Sequence, residues 1–381
     1  MSIANRFAAE LRGDRTIWMI VLVLCLFSLL AVYSATGSLA WQSRGGNTTI
    51  FLITHMVRLA FGLLLVYLCH LVHYSRYKTF APYFIMAAIP LLGLTLLFGV
   101  NINQASRWLH IPGLGVSFQT SDFAKIALIL YVARELTRKQ EYITSLKDAF
   151  MPIIVPVVVV CGLIAPSNLS TALILFVTCI ALMFIGRVSI KYILLLCLLG
   201  LVVFTILLTI GKFAPEFVRI ETWASRMEEF LNSPDGGWQV QQAKIAIAKG
   251  GVFGSGPGNS LIRNFLPYAY ADFIYAIICE EYGLIGALLI LSLYVLLFFR
   301  TVKLVTKSPK AFGAFLAIGL SLSMTVQALA NIAVSVNLVP PTGLTLPMIS
   351  MGGTSLVFSS ISLGMILSVS KYIESLDESV A

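Results

Sequence analysis

An all-α, polytopic membrane fold of ten transmembrane helices is what this sequence predicts, and three observations predict it. The 381 residues are 58% hydrophobic and only 11% charged, with a mean hydropathy of +0.91; a soluble domain carries roughly 25% charged residues. Apolar runs of about 20 residues, each long enough to cross a bilayer, recur along the whole chain. The runs are uniform, and backbone polar groups in lipid must be satisfied within their own segment, so each run reads as a helix.

The spans fall near 16–36, 50–72, 79–99, 119–137, 149–165, 168–186, 190–211, 271–299, 311–336 and 346–370. Arg6, Arg12 and Arg15 precede the first. Its apolar stretch exceeds a secretory signal core, so it reads as a retained anchor, although cleavage near Ala35 would leave nine spans with the same orientation. Ile3, Phe7 and Leu11 share a face and suggest a short interfacial helix over 2–13. Basic residues then collect in alternate connections: Arg76 and Lys78; Arg134, Arg138, Lys139 and Lys147; Arg187 and Lys191; Arg300, Lys303, Lys307 and Lys310. The intervening short connections hold only Arg44 and Arg107. By the positive-inside rule both termini are cytoplasmic. The connection 212–270, between the seventh and eighth spans, is then a large extracytoplasmic loop within one membrane domain covering 1–381. Its own basic residues are no contradiction, because long loops cross largely regardless of charge.

Within 212–270, Phe213, Phe217, Ile220, Trp223, Met227 and Phe230 recur every three or four residues, the pattern of an amphipathic helix on a membrane surface. Ser233 to Gly237 breaks the chain. Trp238 to Lys249 reads as a second short helix, ended by Gly250-Gly251. Gly254, Gly256 and Gly258 demand an irregular backbone. A second external loop, Pro340 to Pro347, is broken and nearly uncharged.

Several function classes drop out. The net charge of +9 follows the membrane anchoring, and no basic helix with interleaved aromatics points to nucleic acid. All six cysteines (Cys25, Cys69, Cys161, Cys179, Cys197, Cys279) lie in apolar runs and form no CxxC pair. The four histidines show no metal-ligand spacing. The glycine run has neither a Walker lysine nor a preceding strand, so it is no nucleotide loop.

Chemistry concentrates at one membrane face. Asp272 stands where the eighth span begins. It has two compatible readings, a helix cap and a fixed carboxylate able to act as a base. Glu280 and Glu281 lie about 12 Å deeper at 1.5 Å per residue, pointing about 100° apart. A buried ion pair that fixes helix packing is the bland reading, with Arg58 or Lys125 as the cation. Asp122 and Lys125 share a helical face as the fourth span opens. They form either a rim salt bridge or a cation placed for a phosphate. Arg107-Trp108 reads as a snorkelling arginine and an interfacial tryptophan, or as part of the same site. Gly352-Gly353-Thr354-Ser355 suggests close helix approach or a kink.

Six ordered segments carry a resemblance. They are SRWLHI at 106–111, FQTSDFAKIALIL at 118–130, PSNLSTALIL at 166–175, WQVQQAKIAIAKGG at 238–251, GSGPGNSLIRNFLPYAYADFIYAIICEEYG at 254–283 and TGLTLPMISMGGTS at 342–355. Together they resemble the shape, elongation, division and sporulation (SEDS) family over nearly the whole chain, and its division branch more than its rod-elongation branch. The resemblance implies a peptidoglycan glycosyltransferase in the bacterial cytoplasmic (inner) membrane. Such an enzyme polymerises lipid II, a disaccharide-peptide on undecaprenyl pyrophosphate, at the outer face. It implies Asp272 as the catalytic group, and substrate contacts from Lys125, Arg107, Trp108, Gln239, Gln242, Glu280, Glu281 and Ser350. It also implies a class B penicillin-binding protein transpeptidase and other divisome membrane proteins as partners. The resemblance implies no certain cofactor; a divalent cation could share the leaving-group charge, but the sequence shows no complete site for one. The chain departs from the family pattern at Asn168, where Asp is common, at Tyr268, Tyr270 and Ala271 around the key acid, and at Met351. A lipid II flippase and a rod-elongation polymerase are the rival readings. The one-sided placement of Asp122, Asp272 and the glycine loop speaks against the flippase, which needs groups reachable from both faces.

Overall fold

The computed structural model describes residues 12–37, 39, 47–102, 105–111, 116–143, 145–146, 150–213, 218–232, 236–306, 308 and 310–380. Among them are twelve α-helices: α1 (Arg15–Ala35), α2 (Thr49–Leu71), α3 (Tyr74–Phe98), α4 (Thr120–Arg138), α5 (Met151–Ile164), α6 (Leu169–Ile185), α7 (Ile190–Phe213), α8 (Ile220–Asn232), α9 (Trp238–Gly250), α10 (Ile274–Val305), α11 (Ala311–Ser335) and α12 (Gly353–Val380). The interfacial helix expected over 2–13 falls almost wholly outside the described residues.

Seven of these helices are long and apolar enough to cross a membrane: α1, α2, α3, α7, α10, α11 and residues 353–375 of α12. The expected count of ten therefore leans on α4, α5 and α6. The last two are apolar but only 14 and 17 residues long. α4 carries Asp122, Lys125, Arg134, Glu135 and Arg138, and it tolerates them because protein surrounds it: Ile126 to Leu130, Val132 and Ala133 are all buried. The centre of the bundle is α11, with 78% of its most apolar 18 residues buried, whereas α7, with 11% of the corresponding stretch, is peripheral and meets its neighbours mainly through Ile193 and Leu196. α12 packs along α2, α3 along α4, and α9 and α11 along α10.

The chain is not purely helical. Between α3 and α4 lies an antiparallel sheet of β1 (Val100–Ile102), β2 (Ala105–Ile111) and β3 (Val116–Gln119), in the order 1-2-3. Trp108 pairs with Gln119 across β2 and β3. Arg107-Trp108, expected in a simple loop, is thus held on a central strand with a fixed direction.

Two helix starts also differ from expectation. α10 begins at Ile274 with Phe273 in the cap position and no side-chain cap bond, so Asp272 does not cap it. α12 begins at Gly353, seven residues after the predicted start. Pro347 lacks the N–H a helix interior needs, and Gly343 and Met348 have φ of +66° and +65°.

α10 is split by the segment that follows α9. Gly283 (φ 63°, ψ −161°) breaks the helix. In an unbroken helix Leu284 and Ile285 would donate to the carbonyls of Glu280 and Glu281. Instead Leu284 N donates to Gly251 O (2.9 Å) and Ile285 N to Val252 O (3.4 Å), while Ser255 N and Gly256 N donate to the Glu280 and Glu281 carbonyls at 2.9 and 3.0 Å. All four groups freed by the kink are thereby satisfied. The glycine run, expected in an external loop, is packed against the body of α10, about 14 Å from its start at 1.5 Å per residue.

Candidate functional site

A cleft of about 400 Å³ opens where β2, α4, α8 and the two segments before α10 and α12 converge. Asp272 is half-buried in its wall. Its backbone is held from below: Asn331 Nδ2 donates to Asp272 O at 2.7 Å, and Ser350 Oγ donates to the neighbouring Ala271 O at 2.6 Å. Met351 N donates to Tyr270 O at 2.9 Å, lacing the 340–352 segment to the Asp272 segment. The carboxylate itself accepts no hydrogen bond from any described residue. Burial pushes its pKa above the usual aspartate value, against the opposing pull of Arg107 and Arg226. A carboxylate with an open face and a raised pKa is suited to accept a proton.

Four cations share the cleft: Arg107, Lys125, Arg219 and Arg226. Arg107 Nε donates to Ser167 O at 2.8 Å, which turns the guanidinium inward from β2. Its pKa is lowered to about 10, first by burial and then by Arg219 and Arg226. Arg226 Nη1 donates to Pro341 O at 3.0 Å. Gly343 sits between the charges. A Cβ there would lie 3.6 Å from Asp272 Oδ2, 3.9 Å from Arg226 Nη1 and 4.0 Å from Arg107 Nη1. The space beside Gly343 is therefore ringed by one carboxylate oxygen and two guanidinium groups.

Lys125 is better compensated. Its Nζ donates to Gln327 Oε1 at 2.8 Å and lies 3.4 Å from Asp122 Oδ1. Asp122 is buried, and its Oδ2 finds no donor among the described residues. The cleft sets four cations against two carboxylates, Asp122 and Asp272, so it carries surplus positive charge able to take an anion. Asn168, where the family commonly has Asp, lines the cleft and caps α6, accepting from Thr171 N at 3.2 Å.

Of the residues singled out from sequence, Asp272, Lys125, Arg107, Trp108 and Gln239 line one cleft. Gln242, Glu280, Glu281 and Ser350 do not line it. Gln242 is buried on α9. Ser350 lies beneath the Asp272 backbone, donating to Ala271 O and accepting from Leu346 N at 2.8 Å. Glu280 pairs with Lys249 at 2.9 Å, not with Arg58 or Lys125, and accepts from Ser260 Oγ and Leu261 N. Glu281 accepts from Ser34 Oγ and Ser260 N. Both glutamates bind the glycine segment to α10. Arg219, Arg226, Gln327 and Asn331 are the residues sequence reasoning missed. Arg226 lies on α8 and Arg219 directly precedes it, its carbonyl accepting from Trp223 N at 3.1 Å, so both reach the cleft from the same element. Among the described residues no group of three His, Cys, Asp or Glu could hold a metal ion.

Over most of its length the chain resembles proteins of known type. It is 32% identical over 368 residues to stage V sporulation protein E of Bacillus subtilis (strain 168), covering 94% of this chain and 97% of that one. It is 31% identical over 360 residues to the probable peptidoglycan glycosyltransferase FtsW of Coxiella burnetii, covering 92% and 95%. Its fold is similar to that of a chain from a structure described as "Structural coordination of polymerization and crosslinking by a peptidoglycan synthase complex", with a TM-score of 0.72 at 24% identity over 95% of this chain and 98% of that one. The family described as "Cell cycle protein" (FTSW_RODA_SPOVE) matches residues 14–375, and by that match and these relatives the chain belongs to the FtsW/RodA/SpoVE family, the SEDS family its motifs resemble.

Proposed function

We propose that this protein polymerises lipid II into glycan strands by inverting glycosyl transfer at the outer face of the bacterial cytoplasmic membrane, in septal wall synthesis. The observation that carries this is the cleft itself: four cations against two carboxylates, one of which, Asp272, accepts no hydrogen bond from a described residue and has a raised pKa. The names of the relatives support the reaction, and those relatives favour division and sporulation over rod elongation.

In this reading the donor's diphosphate rests against Arg107, Arg219 and Arg226, with Lys125 adding its charge. The acceptor sugar presents its 4-hydroxyl to Asp272. Asp272 takes the hydroxyl proton as the oxygen attacks the anomeric carbon from the side opposite the diphosphate. The new C–O bond forms as the bond to the diphosphate oxygen breaks, giving a β-1,4 link. The diphosphate leaves as an anion already stabilised by the cations, so no general acid is needed. Asp272 then returns its proton to water. General-base assistance of this kind contributes about 10²–10⁴-fold.

The chain acts as one membrane domain with ten spans, counting α4, α5 and α6, and with both termini cytoplasmic. α8 and α9 lie on the outer side, and a class B transpeptidase cross-links the product. Reconstitution with lipid II tests the reading. Glycan polymer and transbilayer movement are measured separately. Polymer from the wild type and none from Asp272→Asn is the expected result; full polymer from Asp272→Asn, or lipid movement without polymer, overturns it.

A further inference from the structure

Two amide side chains, Gln327 and Asn331, are buried one turn apart on α11, at 6% and 1% exposure. Burying an amide is costly unless its groups are paired. Asn331 Nδ2 donates both to Asp272 O (2.7 Å) and to Leu344 O (2.6 Å). Gln327 Nε2 donates to Thr345 O at 2.9 Å, and its Oε1 accepts from Lys125 Nζ at 2.8 Å. Lysine can only donate and a carbonyl can only accept, so these partners fix which way each amide faces. One helix face thus holds the segment bearing the acid, the ammonium group across the cleft, and adjacent carbonyls of the loop between them.

We infer that α11 is a ruler for the site: Gln327 and Asn331 are positioning residues that set the separation of Asp272 and Lys125. Four residues of helix rise, about 6 Å, set the spacing between the two amides. The backbone at Leu344 and Thr345 is the shared rail. The inference rests on reading Asp272 as the base. The Asp272 carboxylate accepts no hydrogen bond from a described residue, so its position is set through its own backbone carbonyl. A misplacement of about 1 Å at a reacting group is worth about 10²-fold in rate.

The test is steady-state polymerisation by the reconstituted full chain with lipid II, across pH. Asn331→Ala is expected to lower kcat about 10²-fold with KM within about threefold, and to displace the acidic limb of the kcat profile. Asn331→Gln keeps both N–H donors on a side chain one methylene longer. It preserves the fold and still lowers kcat about tenfold, the smaller part of the same misplacement effect. Gln327→Leu is expected to raise KM about tenfold with a smaller change in kcat, the signature of lost binding that is uniform through the reaction. The ruler is overturned if the folded variants keep kcat and KM within about twofold of wild type. It is equally overturned if rates fall only in proportion to folded protein with an unchanged pH profile. Activity retained by Asp272→Asn would defeat the base assignment itself, a result separate from either.

Discussion

Lys249 Nζ lies 2.9 Å from Glu280 Oε1, so the last turn of α9 closes over a fully buried carboxylate of α10. Glu280 also accepts from Ser260 Oγ, Leu261 N and Ile262 N. A carboxylate surrounded in this way holds the split in α10 together. Lys249→Met is expected to destabilise the protein by about 1–3 kcal/mol. Breaking a buried pair costs about 3–5 kcal/mol, and the Lys249 side chain is 35% exposed, which lowers the figure. KM for lipid II should stay within about twofold. A thermal melt and a saturation curve check both. A tenfold rise in KM would give Glu280 back the substrate-binding role its motif implies.

The glycines of the same region rank themselves. A Cβ on Gly250 would collide with Cys279 O, and one on Gly254 with Glu281 O, both backbone atoms that cannot step aside. A Cβ on Gly258 meets nothing within 4 Å, although its φ is +78°. Gly258→Ala should therefore cost only about 1–2 kcal/mol for its left-handed backbone. Gly250→Ala and Gly254→Ala should cost more than about 3 kcal/mol, the range of overpacking that the surroundings cannot relieve. Folded yield and unfolding midpoints of the three variants give the order directly.

Much of this was readable from the residues, for physical reasons that also mark where reading stops. Long apolar runs have a strong period, and α8 and α9 announced themselves by amphipathicity and by the Gly250-Gly251 stop. Asp272, Lys125 and Arg107 stood out because charge at a membrane face is expensive. The small sheet was not visible, since β1 and β3 span three and four residues and present too short an alternation. Arg226 lies on the polar face of α8 and Arg219 just before it, where a charged residue beside an amphipathic helix reads as ordinary solvated surface. The partner of Glu280 had no local signal at all, because Lys249 reaches it only through the fold. Gln327 and Asn331 did leave a trace, two amides at i and i+4 in an otherwise apolar span, a pattern that asks for buried partners.

With Asp272 as the base, activity is expected to have an acid limit that its neighbours tune. A base works ionised, so the rate is expected to fall as pH drops through the raised pKa of Asp272. Arg107 and Arg226 each hold that pKa down. Arg107→Gln and Arg226→Gln should each move the acidic limb to higher pH, Arg107 more, while Arg107→Lys should largely keep it. The same shift has a stability side. The folded state binds this proton more tightly than the unfolded chain. That stabilisation is complete below the unfolded pKa and is lost as pH rises through the folded one. Asp272→Asn is thus expected to melt no lower than wild type at pH 7, and slightly higher, while making no polymer. A fall in melting temperature would mean that the acid is held there for structure.

α8 and Arg219 immediately before it bring two of the four cations to the cleft, yet α8 has no buried residue of its own. Trp223 stacks on Phe204 of α7 with ring centroids 6.2 Å apart and planes at 16°, and Arg226 donates to Pro341 O. With so little holding it, α8 should be displaced by loss of the stack alone. Trp223→Ala is expected to cost about 0.5–1.5 kcal/mol in stability, the worth of an aromatic pair. The larger effect should fall on substrate: KM about tenfold higher with kcat nearly kept, because in the proposed mechanism Arg219 and Arg226 bind charge that is present before and during the reaction. Trp223→Phe, which can restack, should recover most of the affinity. Equal affinity in wild type and Trp223→Ala would separate α8 from the binding of lipid II and leave the anion to Arg107 and Lys125.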